Sequence, residues 1–142
     1  MNKLFGTQNS LGLFVLRLFV GLMFAAHGAQ KLFGVFGGSG AQEFASHLAQ
    51  MGLPSPLLQA YLAGGSEFFG GLLLIFGFFT RLAAIPLLVV MQVAIFKVHW
   101  ANGFFLQNHG FEYPFVISGA LVALFALGSG AFSIDQRLAK RS

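Results

Sequence analysis

A few polar side chains interrupt otherwise apolar sequence, and their types decide what chemistry the chain can do. Arg17, His27 and Lys31 fall in the first apolar run and Glu67 in the second. Gln92 and His99 fall in the third, and Glu112 opens the fourth. A carboxylate placed in hydrocarbon costs at least about 3 kcal/mol. Glu67 must therefore carry a proton or meet a cation on a neighbouring helix. With His27, Lys31 and His99 as donors and Glu67 as a proton relay, the set could hold a headgroup bearing carbonyl oxygens. His27 and His99 also suit bis-imidazole ligation of a haem between helices. His27, His99 and His109 are the weak candidates for metal ligation. His99, His109 and Glu112 have no recognised ligand spacing, so no metal centre is expected. The chain has no cysteine, which removes thiolate ligation and thiol–disulfide exchange by the protein itself.

The elements that must position these residues cross a membrane. The 142 residues suffice for one domain, and they are 56% hydrophobic and only 8% charged, against about 25% charged in soluble domains. Mean hydropathy is +0.78. The net charge of +4 comes from dispersed basic residues rather than a basic patch with interleaved aromatics, which argues against nucleic acid as a partner. Spans are expected at about 11–33, 57–79, 82–98 and 113–127, each near the ~20 residues a bilayer requires. The expected fold is an all-α, antiparallel four-helix transmembrane bundle forming a single domain over 1–142.

Between the first two spans, a glycine-rich turn (GVFGGSG) leads into a short amphipathic helix at about 41–51. Phe44, Leu48 and Met51 recur on its apolar side, and Gly52 and Pro54 end it. His47 on this helix reads as a solvated interfacial residue. Gly77 ends the second span and Thr80 can cap the third. Lys3, Arg81, Arg137, Lys140 and Arg141 lie on one side and Lys31 and Lys97 near the other. The positive-inside rule then places both termini in the cytoplasm. Trp100 and Tyr113 suit the opposite membrane–water boundary.

Helical periodicity groups the polar residues by face. At about 100° per residue, Arg17, Gly21, Phe24, Gly28 and Lys31 line one stripe, with His27 about 80° from Arg17. Glu67 shares a face with Ala60, Ala63, Gly64, Gly70 and Gly71, small residues that admit another backbone. Depth counting puts Arg17 roughly 7 Å to the cytoplasmic side of Glu67. An extended guanidinium spans that gap, so a buried Arg17–Glu67 ion pair is expected, with a protonated Glu67 as the alternative. Gln92 and His99 are seven residues apart and share a face. Lys97 points away from it, toward the outer surface or Glu112. The polar groups then form a funnel opening outward, with Arg17–Glu67 at its floor.

These residues also carry a resemblance. LRLF and HGAQKL in the first span, SEFFGG in the second, GFFTRLAA at the turn, then HWANGFF, GFEY and GSGAFSID recur in order over nearly the whole chain. The pattern resembles the DoxX family of bacterial four-helix membrane proteins. That resemblance implies a multi-pass protein of the bacterial inner membrane with an association to redox or quinone chemistry. By position, the family's polar pattern falls on Arg17, Gly28, Lys31, Glu67, His99 and Glu112, while Lys97 and His109 have no place in it.

Two functions compete. One is a quinone- or redox-linked membrane protein, an oxidoreductase component that serves a membrane redox partner. The other is a non-catalytic bundle: an accessory subunit, a homo-oligomer, or a binder of a lipid or small amphiphile. Gly34–Gly40 and Gly64–Gly71 lack phosphate-binding context and are not dinucleotide loops.

Overall fold

The computed structural model describes residue 5 and residues 7–141. Lys3, counted above among the basic residues of one side, lies outside them. Helix α1 is Leu11–Phe33. Ser10 caps it by accepting the Leu13 N–H at 3.2 Å, and Gly34, at φ 70°, ends it. Helix α2 is Gly40–Gln50 and α3 is Pro56–Phe76. Proline at the first turn of α3 forfeits no hydrogen bond there. Helix α4, Thr80–Val93, runs on through a π-helical turn, Ala94–His99, and a 3-10 turn, Trp100–Asn102. A second 3-10 turn, Leu106–Asn108, precedes α5, Glu112–Leu127, and then α6, Ile134–Arg141.

Three helical stretches are long and apolar enough to cross a membrane: Leu11–Phe33, Pro56–Phe76 and Thr80–Asn102. Helix α5 is apolar but has 16 residues. At 1.5 Å per residue that is about 24 Å, short of the ~30 Å hydrocarbon core. The segment expected at 57–79 stops at Phe76 because Gly77 turns left-handed at φ 65°.

The core joins α1, α3, α4 and α5 through Val20, Phe24, Leu74, Leu87, Leu121 and Leu124. Outward, Phe19, Leu62, Phe69, Val89 and Val122 are all more than half exposed. So much exposed apolar surface suits lipid rather than water. The apolar side of α2 is buried against α3 through Ala45 and Leu48, which meet Ala60. Met51, placed on that apolar side by its spacing, is exposed at the helix end.

A glycine seam fixes how α1 meets α3. A Cβ on Gly21 would sit 2.8 Å from the Gly71 carbonyl oxygen. One on Gly28 would strike the Phe68 backbone, and one on Gly64 would strike the Leu32 side chain. Residue numbers rise on one helix as they fall on the other, so the two run in opposite directions. Glu67 thus comes level with Gly28. Arg17 lies about eleven residues away along α1, roughly 16 Å.

That register overturns the expected Arg17–Glu67 pair, since no arginine reaches so far. Arg17 is fully buried and bonds backbone carbonyls instead. Its Nε donates to Ser129 O at 2.9 Å. Nη1 donates to Leu74 O at 2.8 Å and Ile75 O at 2.6 Å, and Nη2 to Ala131 O at 3.0 Å and Phe132 O at 3.2 Å. All five N–H groups of a guanidinium are thereby used. Leu74 and Ile75 lie in the last turn of α3, where carbonyls lack helical partners and carry partial negative charge. A Cβ on Gly77 would crowd the Arg17 guanidinium carbon at 3.0 Å.

Asp135 completes this end. It is buried, and its carboxylate accepts the Phe79 N–H at 2.8 Å and the Thr80 N–H at 2.9 Å. The cap expected from Thr80 therefore comes from α6. Thr80 is already the first helical residue, and Phe79 holds the cap position at φ 50°. Arg81 Nη1 donates to Phe125 O and Ala126 O at 2.6 and 2.8 Å, binding the last turn of α5.

Candidate functional site

The far end of the α1–α3 seam holds the polar cavity. Because Gly28 rests on Phe68, Lys31, three residues on, meets Glu67, one residue back from Phe68. Lys31 Nζ donates to Glu67 Oε1 at 2.7 Å. The Lys31 side chain is 27% exposed and that of Glu67 only 2%. Glu67 Oε2 is buried and makes no hydrogen bond among the described residues. Lys31 Nζ also sits 5.1 Å from the centre of the Phe44 ring, a cation–π contact supplied by α2.

The pair borders a cavity of about 140 Å³. Met23, Phe24 and His27 line it from α1, and Val90 and Met91 from α4. Ala94 and His99 line it from the π-helical turn, and Tyr113 from α5. Its walls are thus largely apolar, with polar groups converging at one side, as small-ligand sites are built. The His27 and Tyr113 rings stand 6.3 Å apart, and the Tyr113 hydroxyl donates to Met23 Sδ.

His99 is oriented by the loop that follows. Phe111 N–H bonds Gly103 O and Glu112 N–H bonds Phe104 O, closing the loop on itself. His109 sits at its tip at φ 58°. Its carbonyl oxygen lies 2.8 Å from His99 Nδ1 and accepts the Asn102 side-chain amide at 3.1 Å. A carbonyl only accepts, so Nδ1 carries the proton. In the neutral ring Nε2 then presents a lone pair.

Of the residues singled out by sequence, His27, Lys31, Glu67 and His99 share this cavity. Arg17 does not, because it is consumed at the opposite end. Gln92 does not either. It is exposed and donates to Ser118 Oγ at 3.0 Å. A π-helical turn winds less per residue than an α turn, so the shared face computed for Gln92 and His99 slips apart across 94–99. Glu112 is half-buried in the first turn of α5, where an acid complements the helix dipole. His109 acts through its backbone. Lys97 is exposed. Among the described residues no group of three His, Cys, Asp or Glu residues assembles a metal site. A porphyrin is larger than the cavity of about 140 Å³ that His27 and His99 line, so ligation of a haem there would require the helices to part. Sequence reasoning assigned Tyr113 to the membrane boundary and gave Phe44 only to the apolar side of α2. Neither carries a local signal for the cavity, because each arrives on a different element.

The fold and the cavity define a small integral membrane protein with a partly buried ion pair beside a cavity between its helices. The chain belongs to the DoxX family, whose model matches residues 12–100. It is 30% identical over 133 residues to the Escherichia coli "Inner membrane protein YqjF", covering 92% of this chain and 95% of that one. It is 31% identical over 140 residues to the E. coli "Inner membrane protein YphA", covering 94% of each. It is 32% identical over 135 residues to the Bacillus subtilis "Putative oxidoreductase CatD", covering 95% and 90%. No solved structure matches the chain.

Proposed function

We propose that the protein is a multi-pass bundle of the bacterial inner membrane that binds the headgroup of a quinone-type amphiphile in the Lys31–Glu67 cavity. In this reading it serves membrane redox metabolism. The observation that carries the reading is Glu67: a 2% exposed carboxylate, paired through one oxygen and unpartnered at the other, beside a cavity of about 140 Å³. An apolar cavity of about 150 Å³ holds a benzene ring, so a cavity of about 140 Å³ is of the size of one unsubstituted ring. Lys31, His99 and Tyr113 supply polar contacts to fix it. The names of YqjF and YphA support the inner membrane, and that of CatD supports redox chemistry. The sequence has no cysteine and no dinucleotide loop, so electrons would reach the bound ring from a membrane partner.

The topology in this reading has α5 as a tilted or locally bilayer-thinning fourth span, in an antiparallel bundle with cytoplasmic termini. Support comes from Arg81, Arg137, Lys140 and Arg141, gathered at the end where Asp135 N–H bonds Gly77 O.

A second reading, non-catalytic binding of a lipid or small amphiphile, is favoured by one observation. An outer groove of about 370 Å³, lined by Ile85, Leu88, Val89, Val93 and Phe125, suits an alkyl chain. One experiment separates the two. Solvent extracts of protein purified in mild detergent should contain quinone or quinol by mass spectrometry, with less of the reduced form retained by the E67Q protein. Phospholipid alone, in both proteins, would transfer the conclusion to the second reading.

A further inference from the structure

From the unused valences of the cavity we infer that the site recognises the reduced, hydroxyl-bearing state of its ligand: a single-ring hydroquinone rather than the quinone. This rests on the reading above and specifies which redox state is held. Lys31 Nζ donates to Glu67 Oε1 at 2.7 Å. Taken as a carboxylate beside this ammonium, Glu67 has lone pairs only at Oε2. That oxygen is buried without a partner. A buried carboxylate oxygen left unpaired is costly, and only a donor relieves it. His99 repeats the pattern. Its Nδ1 proton is spent on the His109 carbonyl, which leaves an acceptor at Nε2. The Tyr113 hydroxyl lies against Met23 Sδ and can turn to donate or accept. Glu67 Oε2, and His99 Nε2 in the neutral ring, are therefore acceptors among the groups that line the cavity. Lys31, with N–H groups beyond the one given to Glu67, and His27 supply the donors that line the cavity, so the discrimination rests on the unpartnered Glu67 oxygen.

A quinone offers two carbonyl oxygens and no donor, so it would set lone pair against lone pair at Glu67. A hydroquinone offers two O–H donors on the same ring. Sites built to bond a ligand hydroxyl discriminate strongly against analogues that lack it. The thermodynamic consequence is direct. Each tenfold preference for the reduced form raises the midpoint potential of the bound two-electron couple by about 30 mV.

The test is a ligand series on the wild-type protein in detergent, under anaerobic conditions, by titration calorimetry. The probes are a short-chain alkylhydroquinone, the matching benzoquinone and the hydroquinone dimethyl ether. The hydroquinone should bind on the order of 10–100-fold more tightly than either of the others. The E67Q protein, which presents an amide donor as well as an acceptor, should narrow or reverse that ratio. The wild-type series decides the matter even where E67Q fails to accumulate. Equal binding of quinone and hydroquinone would overturn this inference and leave quinone-type binding standing. Tighter binding of the quinone would do the same. Binding of none of the three would remove both.

Discussion

The two ends of the α1–α3 seam each bury a charge, and they treat it in opposite ways. At one end Arg17 places all five of its N–H groups on carbonyl oxygens from two segments of the chain, the last turn of α3 and the link between α5 and α6. Nothing is left over for a ligand. At the other, Glu67 is joined to Lys31 through a single oxygen, and the second oxygen is left without a protein partner beside a cavity. A saturated buried charge is a fastener, because every hydrogen bond it makes also orders the element it touches. An unsaturated one is unfavourable alone and gains when something binds. Burial by itself therefore did not distinguish structural from functional charge here. The count of satisfied valences did.

The largest effect that tests this contrast is expected at Arg17. Arg17→Leu removes a donor from five carbonyls; Leu74 O keeps the Gly77 N–H, and loss at each of the others costs ~1–3 kcal/mol. The protein should then fail to elute as a monodisperse species after detergent extraction. Arg17→Lys should rescue little, since an ammonium has three N–H groups and no planar fork. A well-folded R17L protein would show that this end is not a fastener.

Next comes the ion pair. Lys31→Met leaves Glu67 unpaired and should cost about 3–5 kcal/mol, read as a loss of thermal stability in detergent. Adding Glu67→Gln to K31M should recover part of that loss. Strictly additive losses would refute the pairing.

Asp135→Ala removes the acceptor for two N–H groups at the start of α4 and should cost ~1–2 kcal/mol. Ligand binding at the distant cavity should be unchanged in calorimetry, which marks the cap as part of the fastening end. The smallest effect is expected for Gln92→Leu. Gln92 is exposed, so stability should move by no more than about 0.5 kcal/mol, with no change in ligand affinity. A strong effect on affinity would return Gln92 to the site from which the π-helical turn removes it.

Much of this was legible without coordinates. The all-helical class and the membrane-competent segments follow from apolar runs and stop signals such as Gly77, because those signals are local. That Lys31 and Glu67 sit on small-residue faces was also readable, since a helix face depends only on angular period. Depth was not. Counting from assumed membrane centres put Arg17 within reach of Glu67, whereas the contact of Gly28 with Phe68 set the register roughly 16 Å away from that pairing. Phase failed where the helix ceased to be an α-helix, between Gln92 and His99.

The sequence by itself determined that Arg17 and Glu67, the charges inside apolar spans, must be buried and that each would need a partner, whereas Asp135 in the polar tail carried no such signal. The sequence did so because the cost of an ion in hydrocarbon depends on composition and span alone. Which partner each charge received was decided by the tertiary structure. Pairing depends on the axial register between two helices, and in this protein that register is set by close contact at glycines, which leave no mark in the polar pattern.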